Sequence, residues 1–320
     1  MVKAMLDLVS IGECMIQMNA IQTGPLRSVS LFEKHAAGSE SNVAIGLSRF
    51  GYRSDFISRV GDDEFGKFIL ATMKGENVDI SQVKADPEAP TGLYFVQRWY
   101  PVPPKSIAVY YRKGSAASRL SPEDIDPAYI GNAKILHVSG ITPAVSKSCC
   151  EATWKALEIA KKNNVKVSFD TNIRRRLWSH EEAKRTLVPM LSSVDYFFTD
   201  PSDGRVLFDE EMPKQICEKA LRAGPSLAIV KMPDARYVAM TKDEYMEKKG
   251  FEAPVVDVIG AGDAFAAGVL ASLLKGLSLE RAIAVGNAAG ALVVTVRGDF
   301  EAMPSWDDVE TFLSGMQFLR

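Results

Sequence analysis

The sequence predicts an α/β fold with a mostly parallel central sheet, helices on both faces, and a small β-sheet lid. The first supporting observation is that strand-like and helical patterns alternate from residue 134 onward, as they do where helices connect parallel strands. The second is that two hairpin-like strand pairs occur earlier, far apart in sequence. The third is the length of 320 residues, which suits one large domain. We therefore expect a single domain over 1–320, with a lid formed by approximately 13–36 and 90–113.

The first part of the central sheet is predicted from two apolar strand patterns and two helical patterns. Residues 6–12 carry a buried-strand pattern that ends at Gly12, and residues 54–60 are predicted as a second strand. Residues 39–50 and 64–74 carry apolar side chains at helical spacing, and Gly51 ends the first of these helices.

The lid is predicted from the two early hairpins. Residues 15–19 and 28–32 are extended and are joined by a turn at 23–25, while residues 93–100 and 106–111 flank a proline-rich loop. An apolar sheet edge tends to be paired or covered, so we expect a homo-oligomer that associates through the lid. The apolar residues that suggest this are Phe32, Phe95, Val96 and Trp99.

The rest of the central sheet is predicted from the alternating patterns in the second half of the chain. Strand-like runs lie at 134–139, 165–169, 194–198 and 226–231, and helical runs lie at 145–163, 180–192 and 211–222. Residues 253–258 are interpreted as a strand that leads into a glycine-rich turn. Further helices are expected at 263–275, 278–296 and 305–317.

The turn at 257–265 (DVIGAGDAF) carries the strongest chemical signal. Its glycines allow the backbone to approach a ligand closely, and the following helix offers free N–H groups and its positive dipole end to an anion. Asp263 is the carboxylate at the glycine pair of this turn. A carboxylate beside a phosphate site is suited to accepting a proton, which is the arrangement that a kinase needs. From this segment alone, an ordinary helix N-terminus capped by Asp263 is an equally good interpretation.

Two other nucleotide-binding motifs are excluded. A dinucleotide fingerprint would need a third glycine where Phe265 stands. Residues 61–68 have the spacing of a P-loop, but Phe68 cannot bind Mg2+, and three acidic side chains inside the loop would repel phosphate.

Composition and charge exclude several classes of protein. The net charge is −2 and the pI is about 6.0, so nothing supports binding to nucleic acid or membranes. No apolar run approaches the length of a membrane span, and the N-terminus lacks a signal-peptide pattern. The four cysteines form no zinc-type pair. We therefore expect a cytoplasmic protein that acts on small molecules.

Sequence signatures near both ends of the chain carry a family resemblance. They are 37–44 (AGSESNVA) with 59–66 (RVGDDEFG), and 260–265 (GAGDAF). Over essentially its full length, the chain resembles the ribokinase-like (PfkB) carbohydrate kinases. Within them it is most similar to the archaeal-type 2-keto-3-deoxygluconate kinases. The segments that carry this second resemblance are GPLR (24–27), FEKH (32–35), TGLYF (91–95), YYRKGSA (110–116), DTNIR (170–174), LW (177–178), TDP (199–201) and VRGD (296–299).

The resemblance implies a fold, a reaction and a set of site residues. The fold would be ribokinase-like. The reaction would transfer the γ-phosphoryl group of ATP, with Mg2+, to the terminal (6-) hydroxyl of 2-keto-3-deoxygluconate or its galactonate epimer. Asp263 would be the general base, and Gly260, Ala261 and Gly262 would form an anion hole. The residues implied for the sugar site are Gly38, Asn42, Tyr94, Tyr110, Arg112, Arg174 and Asp299. Those implied for the nucleotide are Asn172, Asp200, Lys231, Gly260 and Gly262, and Asp200 and Asp203 would meet the metal through phosphate or water.

One residue and two segments depart from the family pattern. Ile259 replaces the hydroxyl residue that usually precedes the GAGD turn. The nucleotide loop, 231–237 (KMPDARY), lacks its usual glycines, and Pro233 fixes φ there, so the loop must be shaped differently. The usual Asn-x-x-Glu metal motif reads DPSD at 200–203.

The substrate class can also be argued from the residues themselves. A neutral sugar needs hydroxyl partners, whereas a sugar acid needs a cation, and the guanidinium fork of Arg can hold both carboxylate oxygens. Arg112 ends a lid strand, and Arg174 follows a parallel strand at the carboxyl end of the sheet, where ligands bind in open α/β folds. Taken alone, both would be interpreted as surface arginines. A kinase for a neutral ketose or ribose, and a non-catalytic sugar-acid sensor, remain alternatives.

Overall fold

The computed structural model describes residues 5–103, 105–233 and 235–315. Its strands are β1 (Leu6–Ile11), β2 (Met15–Thr23), β3 (Phe32–Ala37), β4 (Ser54–Gly61), β5 (Asp79–Asp86), β6 (Leu93–Arg98), β7 (Ile107–Tyr111), β8 (Ala133–Ser139), β9 (Lys166–Asp170), β10 (Tyr196–Thr199), β11 (Leu227–Lys231), β12 (Arg236–Met240) and β13 (Tyr245–Lys249). Its α-helices are α1 (Ser39–Arg49), α2 (Glu64–Gly75), α3 (Pro127–Gly131), α4 (Thr142–Val145), α5 (Lys147–Lys162), α6 (His180–Met190), α7 (Pro201–Phe208), α8 (Pro213–Ala223), α9 (Ala261–Leu274), α10 (Leu279–Val293) and α11 (Trp306–Ser314).

A nine-stranded sheet forms the centre of the molecule, in the order β13-β12-β11-β10-β9-β8-β1-β4-β5. Neighbouring strands are parallel from β11 through to β5, and only β12 and β13 add antiparallel pairs at one edge. Successive strand residues point to opposite faces, so Phe197 and Phe198 pack into two separate apolar cores. Helices cover both faces, which confirms the predicted α/β class.

The two early hairpins combine into one small sheet, in the order β3-β2-β6-β7. Each hairpin pairs antiparallel, and a parallel pairing of β2 with β6 joins them. The predicted strand at 28–32 was wrong, because residues Leu26–Ser28 form a 3-10 turn after Pro25 and the partner strand is β3. Val96, predicted at an exposed edge, is instead 1% exposed on the face that looks inward.

The predicted strand at 253–258 was also wrong. This segment is extended but belongs to neither sheet, and the N–H groups of Val256 and Asp257 donate to Val294 O at 2.8 and 3.3 Å. The sheet position beside β11 is taken by the β12–β13 hairpin. The β13 strand, YMEKK, is mostly exposed and charged, so it carries no buried-strand pattern. The prediction also missed β5 and α7, and its last helix, 305–317, ran into residues 316 and 317, which lie outside the described ones.

The P-loop-like segment at 61–68 has a structural role. Asp63 caps α2 by accepting a hydrogen bond from Gly66 N at 2.7 Å, and it also accepts one from Thr91 N at 2.8 Å. Within the described ranges, no helix is both long and apolar enough to span a membrane.

Candidate active site

A cavity of about 1280 Å³ lies between the two sheets. Tyr94 and Tyr110 line it from the small sheet, while Asp170, Thr199 and Lys231, the last residues of three neighbouring parallel strands, line it from the large sheet. Ligands of open α/β sheets bind at the carboxyl ends of the strands. The cavity therefore lies where the fold class places a ligand.

The glycine-rich turn forms one wall of this cavity. Gly260 has a φ of +80°, in the left-handed region that favours glycine, and a Cβ atom there would lie 1.9 Å from Asp299 O. The α9 helix begins at the next residue, and Gly260 offers no side chain to cap it. The first-turn N–H groups, which have no intrahelical acceptor, are therefore placed to bind an anion.

Asp263 lies in the first turn of α9 and is held by two donors. Its Oδ1 accepts from Ser39 Oγ at 2.6 Å, and its Oδ2 accepts from Asn42 Nδ2 at 2.8 Å. The carboxylate is partly accessible from the cavity, yet the surrounding protein desolvates it, and this burial raises the pKa of Asp263 to about 6. A carboxylate with such a pKa is ionised at neutral pH and is suited to accept a proton.

Asp299 is a second carboxylate, linked to Asp263 through Asn42. The Asn42 amide donates to Asp299 Oδ1 at 2.7 Å, and Tyr94 Oη donates to Asp299 Oδ2 at 3.3 Å. Burial first, and then the nearby Asp263 charge, raises the pKa of Asp299 to about 8. Tyr94 also accepts a hydrogen bond from Gln17 Nε2 at 2.7 Å. This network joins the small sheet to Asp263.

The two predicted arginines line the same cavity in different ways. Arg112 is 8% exposed, and its Nη2 forms an ion pair with Glu13 Oε2. Glu13 Oε1 accepts from Ser115 Oγ at 2.9 Å, and burial, opposed by Arg112, raises the pKa of Glu13. Arg112 Nε makes no hydrogen bond to any described residue. Arg174 is exposed, lines the cavity, and forms no ion pair with a described residue.

A second set of polar residues lies toward the ends of β9, β10 and β11. Asn172 Nδ2 donates to Ser39 Oγ at 2.9 Å, and Lys231 Nζ donates to Asp170 Oδ2 at 2.6 Å. These contacts place an amide and an ammonium group beside the glycine-rich turn.

The predicted metal residues lie at the start of α7. Asp200 caps this helix by accepting from Asp203 N at 2.9 Å. Asp203 accepts from Thr171 Oγ1 at 2.6 Å, and burial, with the Asp200 charge, raises its pKa to about 6. The described part of the chain contains no cluster of three or more His, Cys, Asp or Glu residues that could hold a metal ion. Two carboxylates fit Mg2+, which usually keeps several waters and binds substrate phosphates as well.

The structure brings every sequence-predicted site residue to this one cavity. They are Gly38, Asn42, Tyr94, Tyr110, Arg112, Asn172, Arg174, Asp200, Asp203, Lys231, Gly260, Ala261, Gly262, Asp263 and Asp299. Sequence reasoning missed Glu13, Ser39 and Asp170 as contributors. The signal for Ser39 was its place inside the 37–44 signature, and for Glu13 it was a carboxylate directly after a buried strand.

The departures from the family pattern also lie at the cavity. Ile259 packs against the inner face of the small sheet, beside Met15 and Tyr94. In the 231–237 loop, Ala235 adopts a φ of +60°, and Met232 N donates to Arg236 O at 2.8 Å. The loop is thus a tight turn in which a non-glycine residue takes the left-handed conformation. Its Asp234 lies outside the described residues.

Comparisons with known proteins agree with this geometry. The model of the pfkB family carbohydrate kinases matches residues 5–306. The chain is 44% identical over 317 residues to the 2-dehydro-3-deoxygluconokinase of Thermoproteus tenax, covering 98% of this chain and 96% of that protein. It is 37% identical to the 2-dehydro-3-deoxygluconokinase of Bacillus subtilis, covering 98% and 97%. It is also 31% identical to the 5-dehydro-2-deoxygluconokinase of Halalkalibacterium halodurans, covering 96% and 94%.

Solved structures share the fold. An E. coli protein, provisionally designated Ribokinase II and crystallised with ATP and Mg2+, matches with a TM-score of 0.91 and 26% identity, covering 97% of this chain and 100% of that one. The 2-dehydro-3-deoxygluconokinase of Thermotoga maritima matches with a TM-score of 0.89 and 24% identity, covering 97% and 100%.

Proposed function

The chain belongs to the pfkB family of carbohydrate kinases, and on that premise we propose that it phosphorylates the 6-hydroxyl of 2-dehydro-3-deoxygluconate (2-keto-3-deoxygluconate). ATP is the donor, and the galactonate epimer is a second acceptor. The T. tenax and B. subtilis relatives support this substrate class by their names and their full-length similarity. The small sheet acts as the lid of the cavity.

The observation that carries the proposal is the pair of arginines in the cavity that holds Asp263. Arg112 is buried and its Nε has no hydrogen-bond partner among the described residues, and Arg174 has no acidic partner among them. A buried donor without a partner costs free energy, so such a group indicates a ligand. A sugar carboxylate fits, because it can accept two parallel hydrogen bonds from a guanidinium.

The reaction follows from the contacts of Asp263. Ser39 and Asn42 hold its carboxylate, so that it can accept the proton of the sugar hydroxyl as that oxygen attacks phosphorus. The first-turn N–H groups of α9 stabilise the negative charge on the transferring group. Asp200 and Asp203 would hold Mg2+ through phosphate oxygens or water, and the bound ion would neutralise phosphate charge.

The test is a phosphorylation screen of sugar acids and neutral sugars with arginine variants. For the sugar acid, Arg112→Ala should lower kcat/KM by roughly 10- to 150-fold, the scale of one charged hydrogen bond. Much of the loss should appear in KM, because the carboxylate is at the far end of the sugar from the reacting hydroxyl. Arg112→Lys should rescue only in part, since it keeps the charge but loses the fork.

A matched control is Arg175→Ala, an exposed arginine that contacts Ser202 Oγ at 3.3 Å and does not line the cavity. It should leave the kinetics unchanged. The acid assignment is wrong if ribose or fructose proves as good a substrate as 2-dehydro-3-deoxygluconate. Equal weakening of acid and neutral sugars by Arg112→Ala would also contradict it.

One observation favours a second candidate, a kinase for a neutral sugar. Glu13 pairs with Arg112 and already compensates its charge, which leaves Arg174 as the cavity arginine without an ion pair in the described ranges. The same screen separates the two functions. Including 5-dehydro-2-deoxygluconate also tests the acceptor named for the H. halodurans relative.

A further inference from the structure

We propose that Lys231 binds the phosphoryl group while it is being transferred, and that Asp170 is the positioning residue that holds Lys231 for this task. The inference deepens the proposed function and rests on its phosphoryl transfer, but not on the identity of the sugar. It concerns an ion pair that joins two strands of the central sheet.

The geometry of this ion pair is set by the sheet. Lys231 ends β11, Asp170 ends β9, and β10 lies between these strands. The lysine side chain therefore crosses the carboxyl end of β10 to reach its partner. Nζ donates to Asp170 Oδ2 at 2.6 Å and lies 5.9 Å from the centre of the Phe198 ring on β10.

The same ammonium group lies over the first turn of α9. A Cβ atom built on Gly262 would be 3.3 Å from Lys231 Nζ, with no other non-neighbouring atom within 4 Å. A side chain at position 262 would therefore stand between the ammonium and the helix N-terminus. With glycine there, both face the same small volume of the cavity.

This placement is electrostatically unfavourable without an anion. The N-terminus of a helix carries partial positive charge, and a cation beside it is repelled. Asp170 compensates one charge, but an ammonium has three donors and the Lys231 side chain keeps 23% of its surface exposed. An anion that accepts from both the helix N–H groups and Nζ would relieve this repulsion, and a phosphoryl group has the oxygens to do so.

The position beside Asp263 identifies which phosphoryl group this is. Lys231 is among the charges that lower the pKa of Asp263, against the larger effect of burial. In the transfer, a bond forms between the sugar oxygen and phosphorus, the bond from phosphorus to the ADP oxygen breaks, and the sugar proton passes to Asp263. The group next to the base at that moment is the one in transit. Lys231 donates hydrogen bonds to its oxygens and gives up no proton.

The roles of the two residues differ. Lys231 would touch the reacting group, and so it is a catalytic residue. Asp170 acts through Lys231, by fixing Nζ over α9 rather than leaving a flexible chain free in the cavity. A lysine without this anchor would lose orientation on each turnover.

The experiment compares nucleotide binding with and without a terminal phosphoryl group, in the absence of sugar. Calorimetric titrations with Mg2+ and either ADP or the non-hydrolysable ATP analogue AMP-PNP are made on wild type, Lys231→Met and Asp170→Asn. Lys231→Met keeps the chain length and removes the charge. It should weaken AMP-PNP by about 10-fold or more, the scale of one charged hydrogen bond, and change ADP by less than about twofold.

Kinetics with an accepted sugar add two readouts. In Lys231→Met, kcat should fall by roughly 10²- to 10³-fold, as for loss of one donor to a developing charge, while KM for the sugar changes little. The acidic limb of the kcat/KM profile should move to higher pH, because removing the cation raises the pKa of Asp263. Asp170→Asn should reproduce the kcat loss in part. Lys242→Met, at an exposed turn lysine, is the matched control.

Equal weakening of ADP and AMP-PNP would overturn the proposal, since Lys231 would then contact the phosphates that stay with the nucleotide. Unchanged binding of both, or no nucleotide binding by wild type, would also overturn it. A wrong sugar assignment is separate, because the titrations contain no sugar and still report on Lys231.

Discussion

At the scale of single residues, the site concentrates groups that are costly to bury. Asp263 and Asp299 are two carboxylates that share the amide of Asn42, and each has a raised pKa because the protein desolvates it. Such groups persist where function needs them. Two consequences can be measured, one in catalysis and one in stability.

The catalytic consequence concerns Asp263. Asp263→Asn should lower kcat by roughly 10²- to 10⁴-fold, the usual scale for a positioned base, with a much smaller effect on substrate binding. In the wild type, protonation of Asp263 as the pH falls through about 6 should remove the proposed base. The profile of kcat/KM against pH should therefore show an acidic limb near that value. Activity of the variant within about threefold of wild type would exclude the role.

The stability consequence concerns Asp299. Its folded pKa of about 8 lies above the ordinary value of 3.8, so the folded state holds this proton more tightly than the unfolded state. The stability this provides is complete below about pH 4 and is lost as the pH rises through about 8. Asp299→Asn removes the charge and keeps the shape. The difference between the Tm of Asp299→Asn and the Tm of wild type should therefore be larger at pH 8 than at pH 5, by roughly 2 °C or more. The activity of the variant should fall.

Thermal unfolding across this pH range, with Asp308→Asn as the comparison, checks the prediction. Asp308 completes the capping box of α11 by accepting a hydrogen bond from Ser305 N at 2.8 Å, and hydrogen bonds from Ser305 lower its pKa. Its variant should therefore lose stability rather than gain it. A Tm difference for Asp299→Asn that does not change with pH would contradict the expected titration.

At the scale of elements, the β11–β12 turn and the extended segment at 251–258 line the end of the cavity where we propose that the nucleotide binds. The turn is tight, with Ala235 in the left-handed region, and Pro233 lines the cavity. The segment contributes apolar side chains, among them Phe251 and Val255. Apolar surfaces accept any base, whereas discrimination between bases needs matched hydrogen bonds.

Loose nucleotide selectivity is therefore expected. Measured kcat/KM values for ATP, GTP and CTP should lie within about 10³ of one another, and ADP should be included as a possible donor. A preference for ATP above about 10³-fold, which matched hydrogen-bond recognition can reach, would contradict this.

At the scale of the whole molecule, the outer face of the small sheet is apolar. Phe32, Phe95 and Tyr111 form edge-to-face ring contacts across it at 5.2 and 5.8 Å, and Tyr111 and Leu31 are 64% and 58% exposed. Exposed apolar sheet surfaces tend to be covered by a partner. We propose that a second copy of this chain covers it.

Sedimentation at micromolar concentration should therefore show a species larger than the 35.0 kDa chain. Tyr111→Glu should shift it toward the monomer, because a charge would be buried in the contact. Tyr245→Glu is the control, because Tyr245 is an exposed tyrosine of β13 at the edge of the nine-stranded sheet. It should leave the sedimentation unchanged. A wild-type protein that sediments only as a monomer would refute the proposal.

The sequence by itself determined the features that depend on residues close together in the chain. The glycine turn at 260–263 is one, because its conformation and its helix N-terminus follow from local steric and hydrogen-bonding rules. The alternation of strands and helices is another, and it was enough to predict the α/β class. Signatures such as 37–44 then indicated which side chains to expect in the site.

Only the tertiary structure decided which distant residues meet. Lys231 and Asp170 are 61 residues apart in sequence, and Asn42 and Asp299 are 257 apart. The parallel pairing of β2 with β6 has no local signal in the sequence. The segment at 253–258 was predicted as a strand, but the charged β12–β13 hairpin occupies the edge of the sheet instead. Pairing depends on which backbone edges and faces the rest of the chain leaves open. Which strands pair is decided by packing across the whole molecule, so it cannot be predicted from residues that are close together in the sequence.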